Sequence, residues 1–107
     1  MIILGSTFSL QMLPKDANCN LSVEWISKEE ASNLLANEYI SAVGHESTAA
    51  ALSILLGRNV QMNRIQARLT NEDILIVGQL VSGRLPEGCT TLPEDAKFAF
   101  AKVTLQS

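Results

Sequence analysis

The chain has 107 residues, of which 47% are hydrophobic, and this size supports one compact domain but not two. Its formal net charge of -3 argues against general binding of duplex DNA, because a duplex-binding protein needs a basic surface to neutralise a run of phosphates. Cys19 and Cys89 lack CxxC spacing and the chain has one histidine, so we expect no metal site and a reducing, cytoplasmic environment.

The first third of the chain predicts two strands and a helix. The opening MIILGSTF is typical of a buried strand that ends in a small polar turn, and its lack of a basic start and its small polar residues argue against a signal peptide or a membrane span. LSVEWI alternates apolar and polar residues, as a half-buried strand does. Ser27 and Glu30 have the spacing of a capping box, which predicts a helix from about residue 28 to 37.

A second helix is predicted from residue 45 to 56, with apolar residues at helical spacing and Gly57 as its left-handed stop. Apolar residues also occupy the other sides of this helix, so we expect it to be covered by a sheet and by another helix or a partner subunit. The apolar residues concerned are Ala49, Ala50, Ala51, Leu52, Ile54, Leu55 and Leu56.

Three more strands are predicted in the second half of the chain. They are MNRIQARL at 62–69, DILIVGQLV at 73–81 and FAFAKVTL at 98–105. The order β-β-α-α-β-β-β predicts a single α/β or α+β domain over residues 1–107, with a mixed, mostly five-stranded sheet flanked by helices.

Two short motifs carry the strongest candidates for chemistry. GHEST places Gly44 and His45 at a helix N-terminus, where free N-H groups and the helix dipole attract an anion. The alternative is that His45 only starts and caps the helix. RLPEG places Arg84 and Glu87 in a tight turn after a buried strand, where loops often carry function. The alternative there is an ordinary ion pair in a solvated turn.

Weaker candidates lie elsewhere. Ser9 and Gln11 follow the first predicted strand, and simple turn polarity is the alternative for both. Arg64 lies inside a predicted strand, where its charged side chain needs a partner or a solvent-exposed face. No Walker loop, dinucleotide-binding glycine pattern, hydrolase elbow or zinc protease motif occurs in the sequence.

Taken together, FSLQML, SAVGHEST, MNRIQ and RLPEG, in that order over most of the chain, resemble the viral ring nucleases. These are small anti-CRISPR enzymes of archaeal viruses, phages and prophages that degrade cyclic tetraadenylate. The resemblance implies a homodimer that binds the cyclic RNA in a cleft across its two-fold axis. It also implies cleavage without a metal or other cofactor.

The same resemblance implies a role for individual residues. His45 would protonate the leaving oxygen, and Arg84 and Glu87 would support the scissile phosphate and its geometry. Ser6 stands where relatives often have asparagine. The residues that would line the ligand pocket are Ser6, Ser9, Gln11, Gly44, Arg64 and Gln79.

RNA chemistry is compatible with this set of residues. A ribose 2'-hydroxyl is its own nucleophile, so an enzyme needs no metal if it orients the sugar and protonates the leaving 5'-oxygen. We therefore expect cleavage of cyclic tetraadenylate to linear diadenylates, which silences type III CRISPR signalling. One alternative is a protein that sequesters a cyclic oligonucleotide without cutting it. Another is a structural or transcription-related viral protein.

Overall fold

The structure is a computed structural model that describes residues 1–15 and 18–106. Five strands, two α-helices and one short 3-10 helix form its regular elements. In chain order they are β1 (Ile2–Gly5), the 3-10 helix (Leu10–Met12), β2 (Asn20–Ile26), α1 (Lys28–Leu34), β3 (Tyr39–Ser41), α2 (Glu46–Leu56), β4 (Ile74–Ser82) and β5 (Lys97–Gln106).

The five strands form one mixed sheet in the order β2-β5-β4-β1-β3. Strand β1 runs parallel to β3 and β4, with Leu4 opposite Ser41 on one side and Ile76 on the other. Strand β5 runs antiparallel to β2 and β4. The carboxyl ends of β1, β3 and β4 therefore meet at one edge, called the carboxyl edge below. This is the usual position of ligand sites in sheets with parallel strands. The predicted α+β fold with a mixed five-stranded sheet is confirmed.

Local signals explain where α1 begins and where α2 ends. Ser27 Oγ accepts a hydrogen bond from Glu30 N at 3.1 Å, and the Glu30 carboxylate bonds back to Ser27 N, so the predicted capping box is present. Helix α2 ends at Gly57, whose φ of 65° is the expected left-handed stop. Neither helix in the described part of the chain is long and apolar enough to cross a bilayer.

Helix α1 ends at Leu34, three residues before the predicted end, and a distant side chain accounts for the difference. The Arg58 guanidinium donates to the carbonyl oxygens of Ser32 and Leu35, each at 2.9 Å. Ser32 Oγ also donates to the carbonyl of Leu56 at 3.0 Å. These bonds satisfy the last carbonyls of both helices, so each helix ends against the other.

The core has two layers, one on each face of the sheet. Helices α1 and α2 cover one face, where the buried cluster includes Leu4, Leu35, Leu52, Ile76 and Phe100. The helix approaches the sheet closely at Gly78. A Cβ atom there would lie 2.7 Å from Leu52 Cδ2 and 2.8 Å from Phe100 Cε1, so a larger residue would fit only if these two side chains moved.

The second layer shows why one predicted strand is wrong. Residues 62–69 belong to no strand, although Ala67 and Leu69 pack under β1 and β4 while Arg64 and Arg68 stay exposed. An extended segment that crosses the sheet shows the same alternation as a strand within it. The short strand β3 was not predicted, because three residues are too few to show a period. The first strand ends at Gly5, and the bend at Ser6 and Thr7 that follows it is the predicted small polar turn.

Candidate functional site

His45 lies at the carboxyl edge, between β3 and α2. Ala42 N donates to Leu4 O at 2.8 Å, which continues the pairing of β1 with β3 for one residue beyond the strand. His45 is the N-cap of α2 by its main chain, since its carbonyl accepts from Ala49 N at 3.0 Å. Its exposed imidazole forms no capping bond and has no hydrogen-bond partner among the described residues. The helix therefore begins without using the imidazole.

The predicted ligand residues come together in part. Gln11, Gly44, His45 and Arg64 line one open depression of about 480 Å³ at the carboxyl edge. The other residues that line it are Ala42, Ile65 and Gln66. Three segments far apart in the sequence thus converge on this depression.

Arg64 is fixed within this depression by a main-chain contact. Its Nε donates to the Gly44 carbonyl oxygen at 2.8 Å. The two terminal nitrogens have no partner among the described residues, and the side chain is exposed. Arg64 therefore places a cation with two free donor groups beside His45.

Ser9 acts on the depression indirectly. Its hydroxyl accepts from Gln11 N at 3.2 Å and caps the short 3-10 helix that presents Gln11. Ser9 itself is not among the residues that line the depression, and neither is Ser6, which is half-buried in the turn after β1. Ser9 therefore has a local structural role, and no such role is seen for Ser6.

Arg84 and Glu87 lie outside the depression, in the loop after β4. Gly83 starts this loop with a φ of 84°, and the backbone of Asp95 lies so close that a Cβ would not fit. Both charged side chains are exposed, and neither forms an ion pair or hydrogen bond in the described part of the chain. The alternative of an Arg84 ion pair within the turn is therefore wrong.

The remainder of this loop approaches α2. Gly88, Cys89 and Thr90 border the same groove as Glu46, the first residue of the helix. The Thr91 hydroxyl, 3.5 Å from Cys89 Sγ, lowers the pKa of the Cys89 thiol below its ordinary value. The loop that carries Arg84 thus leads to the side of the helix that His45 starts.

Gln79 lies on the sheet face opposite the helices, away from His45. It lines an apolar groove of about 250 Å³, together with Phe8, Trp25 and Val81. Much of this face is uncovered: the side chains of Trp25 and Val23 are 77% and 59% exposed. We call this surface, formed by Leu21, Val23, Trp25 and Val81, the open face. The alternation of LSVEWI predicted one apolar side of β2, but not that it would be exposed.

Among the described residues, no group of three or more His, Cys, Asp or Glu side chains lies close enough to hold a metal ion. The depression itself offers one imidazole, one guanidinium, the side-chain amides of Gln11 and Gln66, and backbone donors. Such groups can bind a phosphate and transfer a proton.

Comparison with known proteins identifies the family. Residues 2–101 match the STIV B116-like family along most of the chain. The chain belongs to this family.

Two relatives come from viruses of archaea. Uncharacterized protein 26 of Sulfolobus islandicus filamentous virus is 48% identical over 61 residues, which cover 56% of this chain and 51% of the relative. Uncharacterized protein ORF117 of Acidianus two-tailed virus is 35% identical over 77 residues, covering 69% of this chain and 65% of the relative. The matches thus span between about half and two thirds of the relatives' length.

A solved structure of the STIV B116-like family has the same fold. B116 of Sulfolobus turreted icosahedral virus matches with a TM-score of 0.79, covering 96% of this chain and 97% of its own. The two sequences are 23% identical, so the likeness establishes the architecture alone.

Proposed function

We propose that this protein is a metal-independent ring nuclease that cleaves cyclic tetraadenylate to linear diadenylates in the cytoplasm of an infected cell. Removal of this messenger would inhibit type III CRISPR signalling. The observation that carries the proposal is the depression at the carboxyl edge. There an imidazole without a hydrogen-bond partner among the described residues lies beside a fixed guanidinium and a helix N-terminus.

The reaction uses the nucleophile that RNA already holds. A ribose 2'-oxygen attacks the adjacent phosphorus in line and loses its proton to solvent, while the bond from phosphorus to the 5'-oxygen breaks. Protonated His45 donates its proton to that leaving oxygen. The products carry a 2',3'-cyclic phosphate and a 5'-hydroxyl, and the imidazole recovers its proton from water.

Charge on the phosphate is stabilised from several directions. The free donor groups of Arg64 and the N-H groups of the first turn of α2 favour an anion beside His45. Arg84 brings a second guanidinium, without a carboxylate partner among the described residues, on the loop that reaches α2. The resemblance assigns Glu87, three residues further on, to the geometry of the scissile phosphate.

We propose a homodimer as the active form. A four-nucleotide ring has approximate four-fold symmetry, so two subunits related by a two-fold axis would place two His45 residues at opposite bonds. Two cuts would then release two dinucleotides. The open face supports this assembly, because an exposed apolar patch on a small domain is a common contact surface. Phe8, which borders its groove, lies three residues before Gln11, which lines the His45 depression.

A second candidate function is sequestration of the ring without cleavage. The position of Arg84 and Glu87 outside the His45 depression favours it, because a site that never closes would bind phosphates but stabilise the transition state poorly. Both candidates use the same pocket and the same ligand.

One experiment separates them. Labelled cyclic tetraadenylate is incubated with the protein in EDTA, and the products are resolved by chromatography and mass spectrometry. We expect linear diadenylates from the wild type and none from His45→Ala. Retention of intact ring would support sequestration, and neither binding nor cleavage would reject both. Activity that is lost in EDTA and restored by magnesium or manganese would reject the metal-independent mechanism.

A further inference from the structure

A short extended segment after α2 runs beside the end of β3 and the turn that leads to His45. Asn63 makes two contacts with that turn: its backbone N donates to the Val43 carbonyl, and its Nδ2 donates to the Ser41 carbonyl, both at 2.7 Å. Ser41 Oγ donates in return to the Gln61 carbonyl at 2.6 Å. Three hydrogen bonds thus join the segment to the main chain that enters the site.

These contacts take the place of a neighbouring strand. Strand β3 is an edge strand, so its outer carbonyl groups have no partner within the sheet. Carbonyls two residues apart in an extended chain point to the same side, and Asn63 bonds both with one side chain and one backbone group. The Val43 side chain has no exposed surface, so the turn is held from its buried side as well.

We propose that Asn63 is a positioning residue for the cleavage reaction. It fixes the turn from which His45 starts α2, and the following residue, Arg64, then reaches the Gly44 carbonyl at 2.8 Å. Asn63 does not line the depression, so it acts through its neighbours and not on the ring. This inference rests on the proposed nuclease function, but the placement of His45 can be measured separately.

The test compares Asn63→Ala with Asn37→Ala. The first variant removes the bond to Ser41 and keeps the backbone bond to Val43. The second makes the same change at an exposed asparagine, just before the other end of β3. Single-turnover cleavage of cyclic tetraadenylate, affinity for a ring with methylated 2'-oxygens, and thermal unfolding are measured for both.

For Asn63→Ala we expect the cleavage rate at saturating ring to fall about 10- to 100-fold, because small misplacement of a catalytic group has effects of that order. Affinity should change less than about threefold, since the phosphate donors remain. Asn37→Ala should behave as wild type. A rate equal to that of Asn37→Ala, or a loss in affinity alone, would overturn the inference.

NMR of the imidazole gives a readout that does not depend on activity. His45 is the only histidine in the chain, so its ring signals need no assignment. We expect them to shift or broaden in Asn63→Ala and to match wild type in Asn37→Ala. If the wild type does not cleave the ring, the proposed function fails while this comparison still tests the positioning of His45. If the imidazole signals of Asn63→Ala match those of wild type, the positioning of His45 by Asn63 is overturned as well.

A second variant covers the case in which Asn63→Ala does not fold. Asn63→Asp keeps the size of the side chain but has no Nδ2 group to donate to the Ser41 carbonyl. A folded Asn63→Asp with a slower cleavage rate and shifted His45 signals would support the inference. If Asn63→Asp cleaves as wild type, or also fails to fold, the segment serves the stability of the fold and the inference is wrong.

Discussion

Arg64 Nε donates a hydrogen bond to the carbonyl oxygen of Gly44 at 2.8 Å. The bond links the segment that follows α2 to the turn that precedes α2. It also leaves the two terminal nitrogens of the guanidinium without a partner among the described residues. With Nε engaged, the two terminal nitrogens form the fork that suits a phosphate.

Arg64→Lys should separate charge from geometry. Lysine keeps the positive charge but cannot hold Gly44 and a phosphate with one planar group. We expect the affinity for a methylated ring to fall about 10-fold, equivalent to about 1.4 kcal/mol, in fluorescence polarisation. Arg68→Lys, at an exposed position on the same segment, is the control and should bind as wild type. An equal loss in both variants would assign the effect to overall charge.

His45→Asn should abolish cleavage and leave the fold intact or more stable. The imidazole does not cap α2, whereas asparagine is a good N-cap, so thermal unfolding should show a gain of about 0.5–1 kcal/mol. Cleavage requires a proton donor that an amide cannot supply. Binding of the methylated ring should persist. A variant that still cuts at a comparable rate would exclude His45 as the general acid.

Arg84→Ala should weaken binding and cleavage together. Arg84 is exposed and has no partner among the described residues, so the melting temperature should stay close to wild type. If its guanidinium contacts a phosphate in both ground and transition states, kcat/KM and affinity should each fall at least about 10-fold. Arg68→Ala serves as the matched control. Wild-type kinetics in Arg84→Ala would remove the RLPEG loop from the site.

Trp25→Glu should dissociate the proposed dimer. It places a charge on the open face, where burial without a partner is unfavourable. Ile54→Glu makes the same change on the outer side of α2, at a side chain that is 52% exposed. Sedimentation velocity should show a monomer for the first variant and a dimer for the second. A dimer in both, or a monomeric wild type, would show that the open face is not the interface.

Arg58→Lys tests the contact between the two helices. The guanidinium bonds the carbonyls of Ser32 and Leu35 at the same time, and a single ammonium group on a flexible stem cannot reproduce that geometry. We expect the free energy of unfolding to fall by about 1–3 kcal/mol in denaturant titrations. Arg68→Lys should unfold as wild type. Equal stability of the two variants would contradict a structural role for Arg58.

The helices were predictable because their ends carry local signals. Ser27 with Glu30, and Gly57, act through contacts within a few residues, so the sequence alone reveals them. Strand β3 and residues 62–69 depend on distant partners. Extended backbone becomes a strand only when another strand lies beside it, and pairing of Tyr39 with Ile2 leaves no periodic trace in a three-residue element.

The candidate site, like the fold, was predictable in part. The resemblance predicts Gln11, Gly44, His45 and Arg64 as site residues, and the structure places all four around one depression. It could not reveal Asn63 or Ser41, which contact main-chain carbonyls and so resemble ordinary polar loop residues in the sequence. Arg84 lies on a loop whose path is set by Gly83 and the backbone of Asp95, so spacing alone did not determine its distance from His45.

The central place of β1 in the sheet has a consequence for the order of folding. Ile2 pairs with Tyr39 and with Ile74, so β1 can pair on both sides only after β3 and β4, which follow later in the chain, are present. Strands β4 and β5 are neighbours in sequence and form the sheet's longest ladder, which makes this hairpin the cheapest place to start in chain entropy. A ribosome-bound chain that ends before β4 would therefore expose an apolar β1 with no completed sheet, and the carboxyl edge would form only in the last folding step.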